Sequence, residues 1–506
     1  MLSERKWALA SLLAMVLFSI PAPADDLSTA RAARASQSAL SYNDSGSDKY
    51  EKGDLDGAIA DFDQAVLLDP HLARAFYNRG VAKYDKGNLD DAIADYSQAI
   101  AIDPAYEDAY INRGLARDDS NDLDGAIADD SQALQIEPRD PDAYNNRGWA
   151  KYRKGDIDGA IADYRAAIGI NGHLAQPYND LGVAEREKGD LAAAIADYGR
   201  AIAIDAKDEQ AYYNRAHAFD DQGDTDAALA DCGRAIEINP QYVNAYILRA
   251  ELRSQKADWG GALADYNDAI AIDPKDADAY DSRGLVWYHK SDAVHALADF
   301  NAALEIDPQN TSALNNRGNL KKDLGLLAQA RDDYDHALEI DSHLVNAWND
   351  RGIVRQMQGD LPGALSDYSQ AIQLDPKDAD AYCNRASVWD AFRDWPRAMA
   401  DSNRAVALDS TLGAACTNRG IAEYHQGNLN AALADYDRAL QLDPNDERAY
   451  NDRGLVEAAR GDSDTAITDF NSALQIDSTL AAARKNRSWA ELRQGQWISA
   501  IVDFFQ

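Results

Sequence analysis

At 506 residues the chain is long enough for several domains, yet its 86 acidic residues against 50 basic give a net charge of −36. That balance excludes the basic face which nucleic acid or an anionic lipid surface requires, and it favours a cationic partner beside its ordinary effect on solubility. Three cysteines, Cys232, Cys383 and Cys416, lack the paired spacing of a disulfide framework.

In chain order, residues 1–24 read as a secretory signal peptide. Arg5 and Lys6 form a positive start. An apolar run over 7–20 follows, broken only by Ser11 and Ser19, and Ala22-Pro23-Ala24 offers a small-x-small cleavage site. The run is short for a spanning helix of about 20 residues. Cleavage is therefore expected, leaving an exported product, periplasmic or secreted, without a membrane segment. Residues 25–40 form a polar lead-in, expected as a loose tail or fraying helix.

From 41 to 506 the chain restates itself every 34 residues. Copies open at Ala75, Ala109, Ala143, Pro177, Ala211, Ala245, Ala279, Ala313, Ala347, Ala381, Ala415 and Ala449. A weaker copy opens at Ser41 and a truncated one at Ala483, so 13 full repeats precede a partial one. A fixed period of this size means stacked supersecondary units, each burying its apolar face only against its neighbours.

Within a copy, a first helix of roughly twelve residues stops at a glycine such as Gly53, Gly87 or Gly155, which tolerates the left-handed backbone of a helix end. Asp54, Asn88, Asp122 or Asp156 follows, placed to cap the second helix. That helix carries a large apolar stripe (Ile93, Tyr96, Ile100) and a small one (Ala92, Asp95, Ala99) on one face. The copy closes with Asp103-Pro104, which turns the chain out of helical geometry.

The aromatic at Tyr110, Tyr144, Tyr212 or Trp348, the glycine at Gly80, Gly114 or Gly148, and the set Ala92, Tyr96, Ala99 and Pro104 resemble the tetratricopeptide repeat family. One departure is systematic: Arg79, Arg113 and Arg147 replace the leucine before the glycine. The resemblance covers 41–506. It implies an all-α fold, a right-handed α-solenoid (superhelix) of stacked antiparallel helix pairs. It also implies a protein or peptide partner held in a concave groove lined by first helices.

Two ladders of polar residues run through the copies. The seam carboxylate, from Asp61 to Asp503, is missing from no copy and would be expensive if unpaired. The first-helix arginine is its natural partner, giving the expected pairs Arg79–Asp95, Arg113–Asp129, Arg147–Asp163 and Arg249–Asp265. Just before the arginine stands an asparagine: Asn78, Asn112, Asn146, Asn214, Asn316, Asn384, Asn418 and Asn486. The family places this position in the groove, where an amide can hold a peptide backbone by donating and accepting together. The alternative is that these amides bond within the protein or to water. Leu248 and Ser282 interrupt the row, so 245–312 is expected to separate two binding halves.

No catalytic signature, phosphate loop or metal-ligand cluster occurs, so no enzyme activity, cofactor or metal is expected. At the carboxyl end, Trp497, Phe504 and Phe505 close the truncated copy. They are expected either to fold back as a cap or to dock a partner or second copy. Together these features describe an exported, non-enzymatic protein-interaction scaffold. The alternative is a structural subunit or periplasmic chaperone of an envelope or polysaccharide-export assembly.

Overall fold

The computed structural model describes residues 24–496, with side chains from residue 31 onward. The segment before Ala24, and Trp497, Phe504 and Phe505, lie outside the described residues, as does Asp503. Among the described residues the chain forms 27 helices and no strand. None of these helices is long and apolar enough to cross a membrane.

The first helix differs from its expectation. α1 (Ala24–Glu51) is continuous over 28 residues, so the lead-in and the first helix of the first copy are one element. No glycine or proline interrupts it before Gly46, and its alanines and arginines favour helix. Ser36 Oγ donates to Asp69 at 2.8 Å, tying the lead-in to the first repeat. The pairs then alternate: α2 (Leu55–Leu68), α3 (Ala73–Asp85), α4 (Leu89–Ile102), α5 (Glu107–Asp119), α6 (Leu123–Ile136), α7 (Pro141–Arg153), α8 (Ile157–Ile170), α9 (Ala175–Glu187) and α10 (Leu191–Ile204), continuing to Ala481–Arg493.

The turn inside each pair is set by one left-handed residue. Gly87 has φ 82°, and where the glycine is missing, Asn121, Ala257, Ser291 and Arg393 adopt φ of 65°, 56°, 59° and 60°. Packing of the repeat thus imposes a conformation that costs a side-chain-bearing residue about 1–2 kcal/mol. Asp54, Asp122 and Asp156 then accept the backbone N–H three residues on. Asn88, expected to cap in the same way, makes no such bond.

The seam is dry. Ala92, Tyr96 and Ala99 are fully buried, and the Tyr96 ring lies directly against Gly80, where a Cβ would come within 2.7 Å of it. A glycine is required there because ring and helix backbone touch. Cys232, Cys383 and Cys416 are buried. The chain divides into two compact units, Met1–Leu252 and Arg253–Gln506, the division falling within helix Val243–Gln255.

Candidate functional site

Most of the first-helix arginines are three-way staples. Arg79 donates from Nε to Asp95 Oδ2 at 2.8 Å and from a terminal nitrogen to Oδ1 at 2.5 Å. Its other nitrogen reaches back to Asp63 at 2.6 Å. One guanidinium therefore joins the second helix of its own pair to that of the pair before. The first unit repeats this forward fork at Arg113–Asp129, Arg147–Asp163 and Arg215–Asp231. The second repeats it from Arg283–Asp299 to Arg453–Asp469. Lys83 and Lys151 add a second cation to Asp95 and Asp163 at 2.8 and 2.6 Å. Asp265 is buried and accepts from Arg253 at 2.7 Å, while Arg249 lies over the Tyr246 ring at 5.6 Å. Bidentate, charge-assisted bonds of this kind are the strong ones, and here they serve architecture.

The asparagine row ties first helices together. Asn78 donates to Asn43 Oδ1 at 2.9 Å, Asn112 to the Tyr77 hydroxyl at 2.7 Å, Asn214 to Asn179 at 3.0 Å. Asn316 reaches Asp281, Asn384 reaches Asn349, Asn418 the Cys383 carbonyl, and Asn486 reaches Asn451. Each partner stands on the preceding first helix, so a ligand backbone would have to compete for these amides. Asn146 differs: its amide makes no side-chain hydrogen bond among the described residues.

The first helices also carry acids that crowd one another. Glu107 has a buried carboxyl oxygen without a partner, and burial together with Asp140 pushes its carboxyl up to about 7. Burial raises Asp281 to about 6 despite the Asn316 amide, and Asp180 to about 6 despite amides from Asn145, Gln176 and Asn179. Asp142 and Asp380 shift upward for the same reason, with Asp140 and Asp378 adding repulsion. An arriving cation would relieve each of these groups. Sequence reasoning missed Asp118, Asp130 and Asp180 as a group. The available signal was Asp130 standing in a column held elsewhere by Phe62, Tyr96, Tyr164 and Tyr198.

Comparison with known proteins adds the following. A model described as TPR repeat matches residues 46–87, 82–117, 119–155, 182–223 and 357–388. Models described as tetratricopeptide repeat match 209–242, 391–450, 247–311, 141–173 and 311–343. No curated protein sequence matches. The crystal structure of the APC/C hetero-tetramer Cut9–Hcn1 is similar at 15% identity, over 88% of this chain and 95% of that one, with a TM-score of 0.50. A tetratricopeptide repeat protein from Parabacteroides merdae is 23% identical over 49% of this chain and 98% of its own, with a TM-score of 0.40. MamA is 27% identical over 33% and 92%, with a TM-score of 0.31. The likeness to Cut9–Hcn1 shows the fold alone. With repeat matches running from residue 46 to 450 and paired helices recurring through the described residues, the chain belongs to the tetratricopeptide repeat family.

Proposed function

We propose that this protein is an exported, non-enzymatic scaffold that holds an extended basic segment of a partner protein along the face that the first helices make within each unit. The observation carrying this reading is the electrostatic state of that face. Glu107, Asp142, Asp180, Asp281 and Asp380 are held above the ordinary carboxylate range by burial, and for most of them by neighbouring acids. Such groups gain when lysine or arginine side chains settle among them. The secretory pattern of residues 1–24 supports export.

The test is affinity capture from the exported fraction, followed by cross-linking to locate the contact. The expected result is a basic segment cross-linked to first-helix residues and released as salt rises, because exposed charges are screened within about 10 Å at 0.1 M. Asn146→Ala should weaken that binding by about 0.5–1.5 kcal/mol without altering the fold. Cross-links confined to second-helix surfaces, or capture indifferent to salt, would sink the reading.

A further inference from the structure

The structure assigns a pocket for a single guanidinium group, the side chain of an arginine in an extended segment, to the space between α5, α6, α7 and α9 where an aromatic ring is missing. This names one contact of the segment proposed above and rests on that reading.

The pocket arises from one uncompensated substitution. In most copies a buried ring on the second helix lies against a glycine of the first: Tyr96 on Gly80, Tyr164 on Gly148, Tyr198 on Gly182. Cys232 and Ser402 also lose the ring, but there Ala216 and Ala386 replace the glycine and fill part of the space. In the copy from Ala109, Asp130 replaces the ring and Gly114 remains. A Cβ added at Gly114 would come within 2.7 Å of Asp130 Oδ1, so the carboxylate now faces the bare glycine. A cleft of about 260 Å³ is left.

Its wall is chemically one-sided. Asp130 is 1% exposed and its Oδ1 has no partner. Asp118 is 5% exposed; Arg153 holds Oδ2 at 2.8 Å, and Oδ1 has no partner. Asn145 turns its amide to Asp180 at 3.0 Å and leaves its own Oδ1 without a partner. With Asp130 ionised, all three vacancies are acceptors. Burying them unmet is costly, so the matching occupant brings several N–H donors and a positive charge. An ammonium places three donors around a point, whereas a guanidinium sets five in a plane, the shape of the slot a ring would occupy. Trp149, 37% exposed, also lines the cleft, its ring stacked on Tyr152 at 5.5 Å.

The charges around Asp130 fix the pH behaviour. Burial pushes its carboxyl up to about 8. Asp129, Asp118 and Asp163 reinforce the shift and Arg147 opposes it, while Asp180 faces the cleft from α9. A cation that enters must displace the Asp130 proton, so binding tightens as pH rises from 6 to 9.

The experiment is calorimetry on the purified chain with four probes: acetyl-Gly-Gly-Arg-Gly-Gly-amide, its lysine and citrulline counterparts, and a polybasic peptide. The arginine peptide should bind at least tenfold more tightly than its lysine or citrulline counterpart, and more tightly at pH 9 than at pH 6. Asp130→Tyr, which restores the ring, should abolish binding. Asp130→Asn should weaken it at least tenfold and remove the pH dependence, which covers the case in which the tyrosine variant fails to fold. An arginine peptide that does not bind, or that binds Asp130→Tyr as tightly as the native chain, overturns the pocket. So does a lysine or citrulline peptide that binds equally well. A polybasic peptide bound alike by native chain and Asp130→Tyr keeps the scaffold reading and rejects the pocket. Arginine binding that depends on Asp130 while no polybasic peptide binds along the helices keeps the pocket and rejects the scaffold reading.

Discussion

Two neighbouring rungs solve the same problem with opposite charges. At the regular rung, Asp163 is buried beneath two cations: Arg147 grips it with bonds of 2.8 and 2.6 Å, and Lys151 adds one of 2.6 Å. One repeat later, Leu181 stands where Arg147 stands and Glu185 where Lys151 stands, so both cations are gone. Asp197 is still buried. It accepts from Arg200, an exposed residue one turn along its own helix, at 2.8 Å. Its other neighbour is Glu185, whose carboxyl burial and Asp197 together raise to about 7, against the pull of Arg165 at 2.9 Å. A buried carboxylate needs a donor, and a proton on a neighbouring carboxyl can do what an ammonium does elsewhere. The second solution makes that rung sensitive to pH between about 4.5 and 7.

The largest effect should come from emptying the two rungs in turn. Asp163→Ala strands the Arg147 and Lys151 charges and should lower stability by about 3–5 kcal/mol, because breaking a buried pair leaves its partners uncompensated. Asp197→Ala leaves Glu185 paired with Arg165 and Arg200 solvated, and should lose only about 1 kcal/mol. Urea unfolding read by hydrogen exchange on α7 to α10 separates the cases, since solenoid losses stay near their origin. Equal losses would dissolve the contrast between the rungs.

The next prediction concerns pH. Because folding raises the Glu185 pKa from 4.5 to about 7, the folded chain keeps a proton that the unfolded chain sheds across that window. Its contribution is complete below about 4.5 and is lost as pH rises through about 7, in total on the order of 1–3 kcal/mol. Protection of α9 and α10 should therefore fall between pH 5 and pH 8, and Glu185→Gln should flatten the curve. A variant with the same slope as the native chain assigns the pH dependence to another group.

The smallest effect sharpens the comparison at the asparagine row. Asn112→Ala, which breaks the bond to Tyr77, should cost about 0.5–1.5 kcal/mol in thermal or urea stability with no ligand present. Asn146→Ala, with no such bond to lose, should leave stability unchanged.

The helix pairs were legible in the sequence because a 34-residue register held for hundreds of residues leaves little freedom in element type or order. The arginine–aspartate spacing of 16 was legible too, since both columns were filled almost without exception. Side-chain direction was not. Asn78 meets Asn43, one place before its own equivalent in the preceding copy, and a column of like residues does not show which neighbour it addresses. Nor was the vacancy at Asp130: in a chain this acidic, one more aspartate beside the seam residue Asp129 does not stand out until its column is compared with the rings above and below. The fusion of residues 25–40 into α1 was hidden because alanine, arginine and serine suit a helix and a loose segment alike.

The arginine staple has a consequence for how such a chain can grow. Arg79 reaches 16 residues forward to Asp95 and 16 back to Asp63, and every asparagine tie spans 35. All of these reaches connect one column to another, never one particular copy to another. Excising or duplicating any stretch of 34 residues returns every guanidinium to a carboxylate and most amides to an acceptor, wherever in the copy the cut falls. A change of 33 or 35 residues breaks the staples at the junction. The genetic event such a gene tolerates most easily is therefore unequal exchange between its own repeats, and copy number can drift while the joints between copies stay intact.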